Sequence, residues 1–360
     1  MSAHEIVLTV MAGFALLGGL DRVFGNRFGL GEKFEEGIQA MGSLALAMLG
    51  IICFAPVLAE LLRPVVVPLY GLLGADPAMF AGTILANDMG GGPLAYALTE
   101  DPEAAALGGV ITGSMLGATL VFTLPVAMGI LRPEDRAPMA KGILCGLVTI
   151  PLGVLAGGLV ADFPLAKVLL NLIPIVVFAA AIALGLWKAE KAMVKGFAVF
   201  GKLVTGVITL ALAAAIFQEL TGITLIPGMV SLSGGFETVG EIAIVLAGAF
   251  PLVAVLTRVL KKPLLKLGKL LGINDVAAAG LVASLANSIA TFGRVKDMDD
   301  RGKVVNIAFA VSAAFVFGDH LGFTAGFAPQ MLPAVIIGKL VGGISAIGVA
   351  LLLTPRAVDS

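Results

Sequence analysis

Eleven hydrophobic segments, spread over nearly the whole chain, decide what this sequence can fold into. They cover residues 5–21, 38–60, 77–98, 105–131, 141–161, 167–187, 203–218, 238–257, 275–293, 304–327 and 332–353. A helix needs about 20 apolar residues to cross the hydrocarbon core of a bilayer, and most of these segments supply them. The mean hydropathy is +1.05 and 13% of residues are charged, against about 25% in soluble domains. We therefore expect an all-α polytopic membrane protein.

Two of the segments are interrupted by polar residues. Segment 77–98 contains Asn87-Asp88 followed by a Gly-Gly-Gly-Pro run, and segment 275–293 contains Asn287-Ser288. The ten or so residues before each interruption rise about 15 Å as a helix, which is half the hydrocarbon thickness. Half-spans that end in polar backbone are typical of the substrate sites of transporters. We expect both segments to dip into the membrane and return as re-entrant hairpins, which leaves about nine transmembrane helices.

The basic residues separate to one side when the two hairpins are assumed. Twenty of the 23 Lys and Arg residues then share one face, including the C-terminal Arg356, whereas the acidic loop 100–103 lies opposite. If all eleven segments crossed, the basic residues would scatter over both faces. The positive-inside rule makes the basic face cytoplasmic. The first apolar run lacks a basic start and a cleavage site, so we expect a retained span and not a signal peptide. The chain is then a multi-pass membrane protein with a cytoplasmic C-terminus.

An internal repeat relates the two halves of the chain. The pattern Gly-Ile-Leu-Cys-Gly at 142–146 matches Gly-Lys-Leu-Val-Gly at 338–342, an offset of 196 residues. We expect a first inverted repeat at 1–163 with its hairpin at 77–98, a linking transmembrane helix at 164–198, and a second repeat at 199–360 with its hairpin at 275–297. An odd number of spans precedes the second half, so the halves are oppositely oriented, as in many secondary transporters.

Asp88 is the strongest candidate for a substrate-binding residue, with Asn87 beside it. A carboxylate at the bilayer centre costs about 2.5–3.5 kcal/mol and needs a partner or a cavity. The alternative role is that of a turn residue that caps the returning half-helix. Asn287 and Ser288 are the uncharged counterparts in the second hairpin. They can bind a ligand's hydroxyl or ammonium group, or they can form hydrogen bonds between helices.

Asp319 and His320 stand together in segment 304–327. They can bind a cation, relay protons, or form a structural pair with another helix. Cys53 and Cys145 both fall within predicted spans, so we expect no disulfide framework, no metal site and no cofactor. Asp297, Asp299 and Asp300 could instead hold Mg²⁺ in a membrane-embedded enzyme that acts on lipid phosphates. A solvated cytoplasmic turn is the favoured interpretation of these three acids.

Several long stretches resemble the ethanolamine utilisation transport protein family, EutH. They lie at 34–42, 76–91, 298–306 and 308–323, and the last contains Phe-Gly-Asp-His-Leu-Gly at 317–322. The likeness extends over essentially the whole chain. It implies an inner-membrane permease for ethanolamine that feeds a cobalamin-dependent lyase pathway inside a protein-shelled microcompartment.

Protonated ethanolamine is a small cation with one hydroxyl group, and the polar residues suit it. Our hypothesis is that Asp88 and Asp319 hold the ammonium while Asn287 and Ser288 orient the hydroxyl. The alternatives are a transporter of another small organic cation, the enzyme that would use the acids at 297–300, and a membrane scaffold or sensor. The expected partners are ethanolamine and the lipid bilayer, without nucleic acid. The sequence leaves the driving ion and a homo-oligomer open.

Overall fold

The computed structural model describes residues 1–354, apart from the side chains of six residues in two helices, namely Glu190, Val194, Leu260, Lys261, Lys262 and Leu264. All regular secondary structure within this range is helical. The all-α prediction is therefore confirmed. Arg356, which was predicted to lie on the cytoplasmic face with the C-terminus, falls outside the described residues, and so do the side chains of Lys261 and Lys262.

Fifteen α-helices follow one another along the described chain. They are α1 Ala3–Val23, α2 Leu30–Leu72, α3 Ala78–Ile84, α4 Gly91–Leu98, α5 Pro102–Ala105, α6 Leu124–Ile130, α7 Arg136–Leu147, α8 Ile150–Val160, α9 Leu165–Thr221, α10 Leu232–Leu271, α11 Asp275–Ala286, α12 Ser288–Phe292, α13 Asp300–Ala313, α14 Asp319–Phe327 and α15 Leu332–Leu353. Between α5 and α6 the chain winds as a wider π-helix over Ala106–Gly117 and Thr119–Thr123.

Eight helices in the described part of the chain are long and apolar enough to cross a membrane. They are Ala3–Val23, Leu30–Leu72, Pro102–Ile130, Pro133–Val160, Leu165–Ala189, Lys191–Thr221, Leu232–Val259 and Pro329–Leu353. A ninth is added if Leu265–Leu271 and Asp275–Ala286, which meet at a bend of 118°, are taken together. The eight correspond to eight of the predicted spanning segments, so the polytopic fold is confirmed.

The remaining predicted span, 304–327, is divided into α13 and α14 by an irregular segment at 314–318. Phe315 lies in this segment with a φ of +62°, a conformation that is unusual for a bulky side chain. The Phe315 amide donates to the Ser284 carbonyl at 3.0 Å, and the Phe317 amide donates to the Leu285 carbonyl at 2.9 Å. Because both acceptors end α11, the interruption depends on a tertiary contact and not on local sequence.

The basic region between segments 167–187 and 203–218 is helical and not a loop. Helix α9 turns at Ala189, where φ and ψ are −145° and 47°, and its second arm begins at Lys191. Lys, Ala and Met favour helix, which explains why the chain resumes a helix at once. The 31 residues of this arm rise about 46 Å, more than the roughly 30 Å of hydrocarbon. Its first lysines can therefore lie beyond the hydrocarbon core.

The first interrupted segment is a closed hairpin. At its base Thr99 donates to the Asp76 carboxylate, with an Oγ1–Oδ2 distance of 2.9 Å. At its tip Leu85 is extended, and Gly90 adopts a φ of +104°, which favours glycine. Helices α3 and α4 therefore form two arms that begin and end at the same level.

The second interrupted segment closes in the same way. The Asn274 amide donates to Asp299 Oδ1 at 2.8 Å, and Asn274 Nδ2 donates to the Asp297 carbonyl at 3.0 Å. The tip is Asn287, whose backbone is extended between α11 and α12. Asp297 and Asp299 thus hold the base of this hairpin together.

The bases of the two hairpins lie at opposite ends of the molecule. At one end of the span Pro133–Val160, Asp135 pairs with Lys303 at 2.8 Å, next to the base of the second hairpin. At the other end, Lys167 pairs with Asp101 at 2.8 Å, next to the base of the first. Burial alone would raise the pKa of Asp101, but hydrogen bonds from Lys167 and from two backbone amides hold it below its ordinary value.

The apolar core divides into two groups of helices. One contains α7, α8, α13, α15, the π-helical segment and the first arm of α9, and the other contains α1, α2, α10, α14 and the second arm of α9. The first hairpin packs in a smaller cluster with Ala59 of α2 and with Ala118 and Val121. The two hairpin tips and the interruption at 314–318 lie where these groups meet.

Candidate functional site

Asp88 occupies the tip of the first hairpin. It lies in a 3₁₀ turn, Asn87–Met89, between α3 and α4. Its side chain keeps 16% of its surface exposed, and its Oδ1 is 4.0 Å from His320 Nε2. The helical break therefore presents a carboxylate within the bundle, opposite an imidazole on α14.

His320 connects Asp88 to a buried lysine. Lys339, on α15, has an exposed fraction of 1%. Its Nζ lies 3.0 Å from His320 Nδ1 and donates to the Ser114 carbonyl at 2.5 Å. An ammonium can only donate, so we assign His320 Nδ1 as the acceptor and place the imidazole proton on Nε2, toward Asp88.

Asp319 is the first residue of α14, directly after the interruption at 314–318. Within the described residues, its carboxylate makes no hydrogen bond or ion pair with another side chain. It lines two separate cavities. The sequence prediction placed this residue inside a regular helix, whereas the structure places it, partly buried, at the start of a new one.

The larger of these two cavities is an open vestibule of 360 Å³. Lys33, Glu36 and Arg258 line it, and so do Asn287 and Asp319. Lys33 pairs with Glu36, and Arg258 donates to the Phe28 carbonyl at 2.6 Å. The vestibule therefore leads from charged residues of the basic face to the tip of the second hairpin.

The smaller cavity lies beside Asp319 and measures about 30 Å³. Asp88, Asp319, His320, Phe122 and Phe315 line it. The rings of Phe122 and Phe315 pack edge to face with centroids 5.2 Å apart. Since about 10–15 Å³ of such volume admits one water molecule, the cavity has room for roughly two waters in this conformation.

The six residues predicted for the site do not all reach these cavities. Asp88, Asp319 and His320 converge on the small cavity, and Asn287 lines the vestibule. Asn87 and Ser288 line neither of the two, and both are completely buried. The Asn87 amide atoms and Ser288 Oγ have no hydrogen-bond partner within the described structure. Asn287 Oδ1 accepts from the Ile289 amide at 2.8 Å, which leaves its Nδ2 for a ligand.

Glycines let the first hairpin approach the π-helical segment. A Cβ atom on Gly117 would overlap the Leu85 carbonyl oxygen, and one on Gly113 would lie 3.0 Å from the Asn87 amide nitrogen. The backbones of the hairpin and the π-helical segment can therefore make contact only because Gly113 and Gly117 have no side chain. π-helical turns are found often at functional sites, and this one supports the tip that carries Asp88.

Lys339 is the functional candidate that sequence reasoning missed. A signal was available, because it is the one charged residue in the apolar segment 332–353. An intramembrane lysine is costly and therefore suggests a function. The internal repeat does not reveal it, because the matching position is Ile143.

The acids at 297–300 have structural roles in the described residues. Asp299 accepts from the amides of Asn274 and Gly302, and so caps α13. Asp300 is 94% exposed and lies 3.6 Å from Lys303. No group of three or more potential metal ligands occurs in the part of the chain that the structure describes.

The sequence matches a known family along nearly its whole length. The family model described as "Ethanolamine utilisation protein, EutH" covers residues 3–353. The chain belongs to the EutH family. No solved structure matches it.

Its relatives in this family align over almost their full lengths. The "Probable ethanolamine permease EutH" of Listeria monocytogenes is 58% identical over 99% of this chain and 95% of its own length. The protein of the same name from Salmonella typhimurium is 47% identical, over 99% and 97%. The "Uncharacterized protein YxeR" of Bacillus subtilis is 50% identical, over 99% and 96%.

Membership in a permease family, together with the apolar helices, identifies a multi-pass membrane transporter of ethanolamine utilisation. The predicted family, the predicted transport class and the prediction that the protein is not an enzyme are confirmed at this level.

Proposed function

We propose that this EutH protein carries ethanolamine across the inner membrane, with the ammonium group bound between Asp88 and Asp319. The observation that carries the proposal is that Asp319 lines both the open vestibule and the small inner cavity that contains Asp88. One carboxylate therefore faces a route to the surface and also a second carboxylate deeper in the bundle.

The chemistry of the lining fits an amino alcohol. Carboxylates bind an ammonium group, and Asn287 Nδ2 can donate to a hydroxyl oxygen. Asn87 and Ser288 carry buried polar atoms without partners, and such atoms gain partners when a polar ligand arrives. The inner cavity has to widen before ethanolamine reaches Asp88, whereas Asp319 is reached directly from the vestibule.

The placement of the charges supports an orientation in the membrane. The end that carries Arg301 and Lys303, together with the open vestibule, would face the cytoplasm by the positive-inside rule. The hairpins would then be re-entrant from opposite sides, in the two inverted repeats at 1–163 and 199–360. Widening of the inner cavity would alternate with closure of the vestibule, as in other transporters built from inverted repeats.

Uptake of labelled ethanolamine into proteoliposomes tests the proposal. At limiting substrate, we expect saturable uptake by the wild type and a loss of at least about thirtyfold in Asp88→Asn and in Asp319→Asn. Removal of one partner from a buried charge pair costs about 2 kcal/mol or more, which corresponds to that factor. Asp162→Asn is the control, because Asp162 is exposed and its φ of +61° suits asparagine equally well.

Each contrary result points to a different error. Normal uptake by both site variants would remove Asp88 and Asp319 from the binding site. If the folded wild-type protein took up a different small organic cation but no ethanolamine, that cation and not ethanolamine would be the substrate. A homo-oligomer is compatible with either result.

A further inference from the structure

Lys339 holds a position that a structural role does not explain. Its exposed fraction is 1%, on a helix that otherwise carries no charged residue. Its hydrogen-bond partners are the Ser114 carbonyl and the His320 imidazole, both of them neutral groups. Within the described residues no carboxylate lies within 4.0 Å of its ammonium. Buried charges are as a rule paired with an opposite charge, so a structural role alone does not account for this lysine.

The nearest negative groups along this chain of contacts belong to the proposed binding site. His320 lies between Lys339 and Asp88, at 3.0 Å from the lysine nitrogen and 4.0 Å from the carboxylate oxygen. Asp319 lines the same cavity as Asp88 and His320. Lys339 therefore contributes its charge to the site from behind the imidazole, without contact with a ligand in the cavity.

We propose that Lys339 sets the number of positive charges that the site accepts. This inference rests on the proposed function. With Asp88 and Asp319 ionised, Lys339 protonated and the His320 imidazole neutral, the net charge of the site is −1. One monovalent ammonium neutralises that charge, whereas a diamine leaves an excess positive charge in a site of low dielectric constant. Lys339 is thus a specificity-determining residue that favours amino alcohols over diamines.

Two compounds of equal length separate charge from size. 3-Amino-1-propanol and 1,3-diaminopropane differ only in an OH or NH₂ terminus, and at slightly acidic pH the second carries two charges. Each competes with labelled ethanolamine for uptake into proteoliposomes. In the wild type we expect 3-amino-1-propanol to inhibit uptake at a concentration at least about tenfold lower than 1,3-diaminopropane does. A tenfold difference in affinity corresponds to about 1.4 kcal/mol of binding free energy.

Substitution at Lys339 should change this ratio in a defined direction. Lys339→Met lowers the net charge of the site from −1 to −2, so the preference for the amino alcohol should fall about tenfold or reverse. Asp88→Asn combined with Lys339→Met returns the charge to −1. The double variant should take up ethanolamine better than Asp88→Asn alone. Lys195→Met removes an exposed lysine of α9 and should leave the ratio unchanged.

The outcomes distinguish this inference from the proposed function. Saturable ethanolamine uptake with an unchanged ratio in Lys339→Met, or without any rescue in the double variant, would overturn the role of Lys339 and leave the function intact. A wild type that takes both competitors equally would overturn it even if the Lys339 variants failed to fold. Absence of ethanolamine uptake by the wild type would overturn both.

Discussion

Thr99 donates a hydrogen bond to Asp76 at 2.9 Å and so joins the two ends of the first hairpin. Asp76 also accepts from the Ala78 amide at 2.8 Å, at the start of α3. The second hairpin is joined at its own base by Asn274 and Asp299. In each hairpin, hydrogen bonds at the base therefore hold the two arms together, and the two arms position the polar tip.

Thr99→Val should lower the stability of the protein. Thr99 Oγ1 donates to Asp76 and accepts from the Asp101 amide at 3.1 Å, and a hydrogen bond contributes about 1 kcal/mol. We expect a lower thermal midpoint in detergent, with a loss of about 1–2 kcal/mol. Thr205→Val is the control, because Thr205 is exposed and bonds only within its own helix. Equal midpoints for both variants would show that the base does not hold the hairpin.

Gly117→Ala should displace the first hairpin. The new Cβ atom would overlap the Leu85 carbonyl oxygen, which belongs to backbone and cannot rotate away. Overpacking of this kind costs about 1–3 kcal/mol, and uptake should fall with it. Gly129→Ala is the matched control, because nothing lies within 4 Å of its new Cβ atom. A stable, fully active Gly117→Ala protein would contradict the close contact.

Single cysteines should report the side on which the vestibule opens. The native Cys53 and Cys145 are buried, so they give little background labelling. We expect Thr257→Cys, in the vestibule wall, to react with an impermeant thiol reagent from the cytoplasmic side only. Thr221 is the last residue of α9, at the end of the second arm that lies away from Lys191. Thr221→Cys should therefore react only from outside. Reversed labelling of this pair would invert the proposed orientation.

Lys303→Met should be strongly destabilising, because it leaves Asp135 buried without its cation. Loss of one partner from a buried pair costs about 3–5 kcal/mol. Lys303→Met with Asp135→Asn should recover most of that loss in chemical unfolding. Asp300→Asn is the control, since its ion pair with Lys303 is exposed and contributes little.

The same pair has a defined pH dependence. The hydrogen bond to Asp135 raises the pKa of Lys303 above its ordinary value of 10.5. A group whose pKa is raised in the folded state stabilises fully below its unfolded pKa. The contribution of Lys303 should therefore be constant through neutral pH and be lost only as the pH rises past that value. A loss between neutral pH and pH 10.5 would contradict the pairing.

Local sequence predicted the helical spans and the polar tips, because hydropathy and helix-breaking residues are local properties. Segment 77–98 shows both, and its break occurs where Asn87, Asp88 and Gly90 predict it. The interruption at 314–318 depends instead on a contact between distant residues, the hydrogen bond from the Phe315 amide to the Ser284 carbonyl of α11. The role of Lys339 likewise depends on α14 and α15 lying side by side. Both features depend on contacts between segments that are distant in the sequence, and the sequence alone could not predict those contacts.

The shortage of histidine in this chain has a practical consequence for following the transport cycle. There are 2 histidines: His4, which contacts Ser2 near the N-terminus, and His320, which faces both Asp88 and Lys339. Histidine-selective isotope labelling would thus give two sets of ring resonances from the unmodified protein, and only the set from His320 would report on the binding site. The tautomer of that ring could be followed by nuclear magnetic resonance as substrate is added, with no probe introduced and no residue replaced.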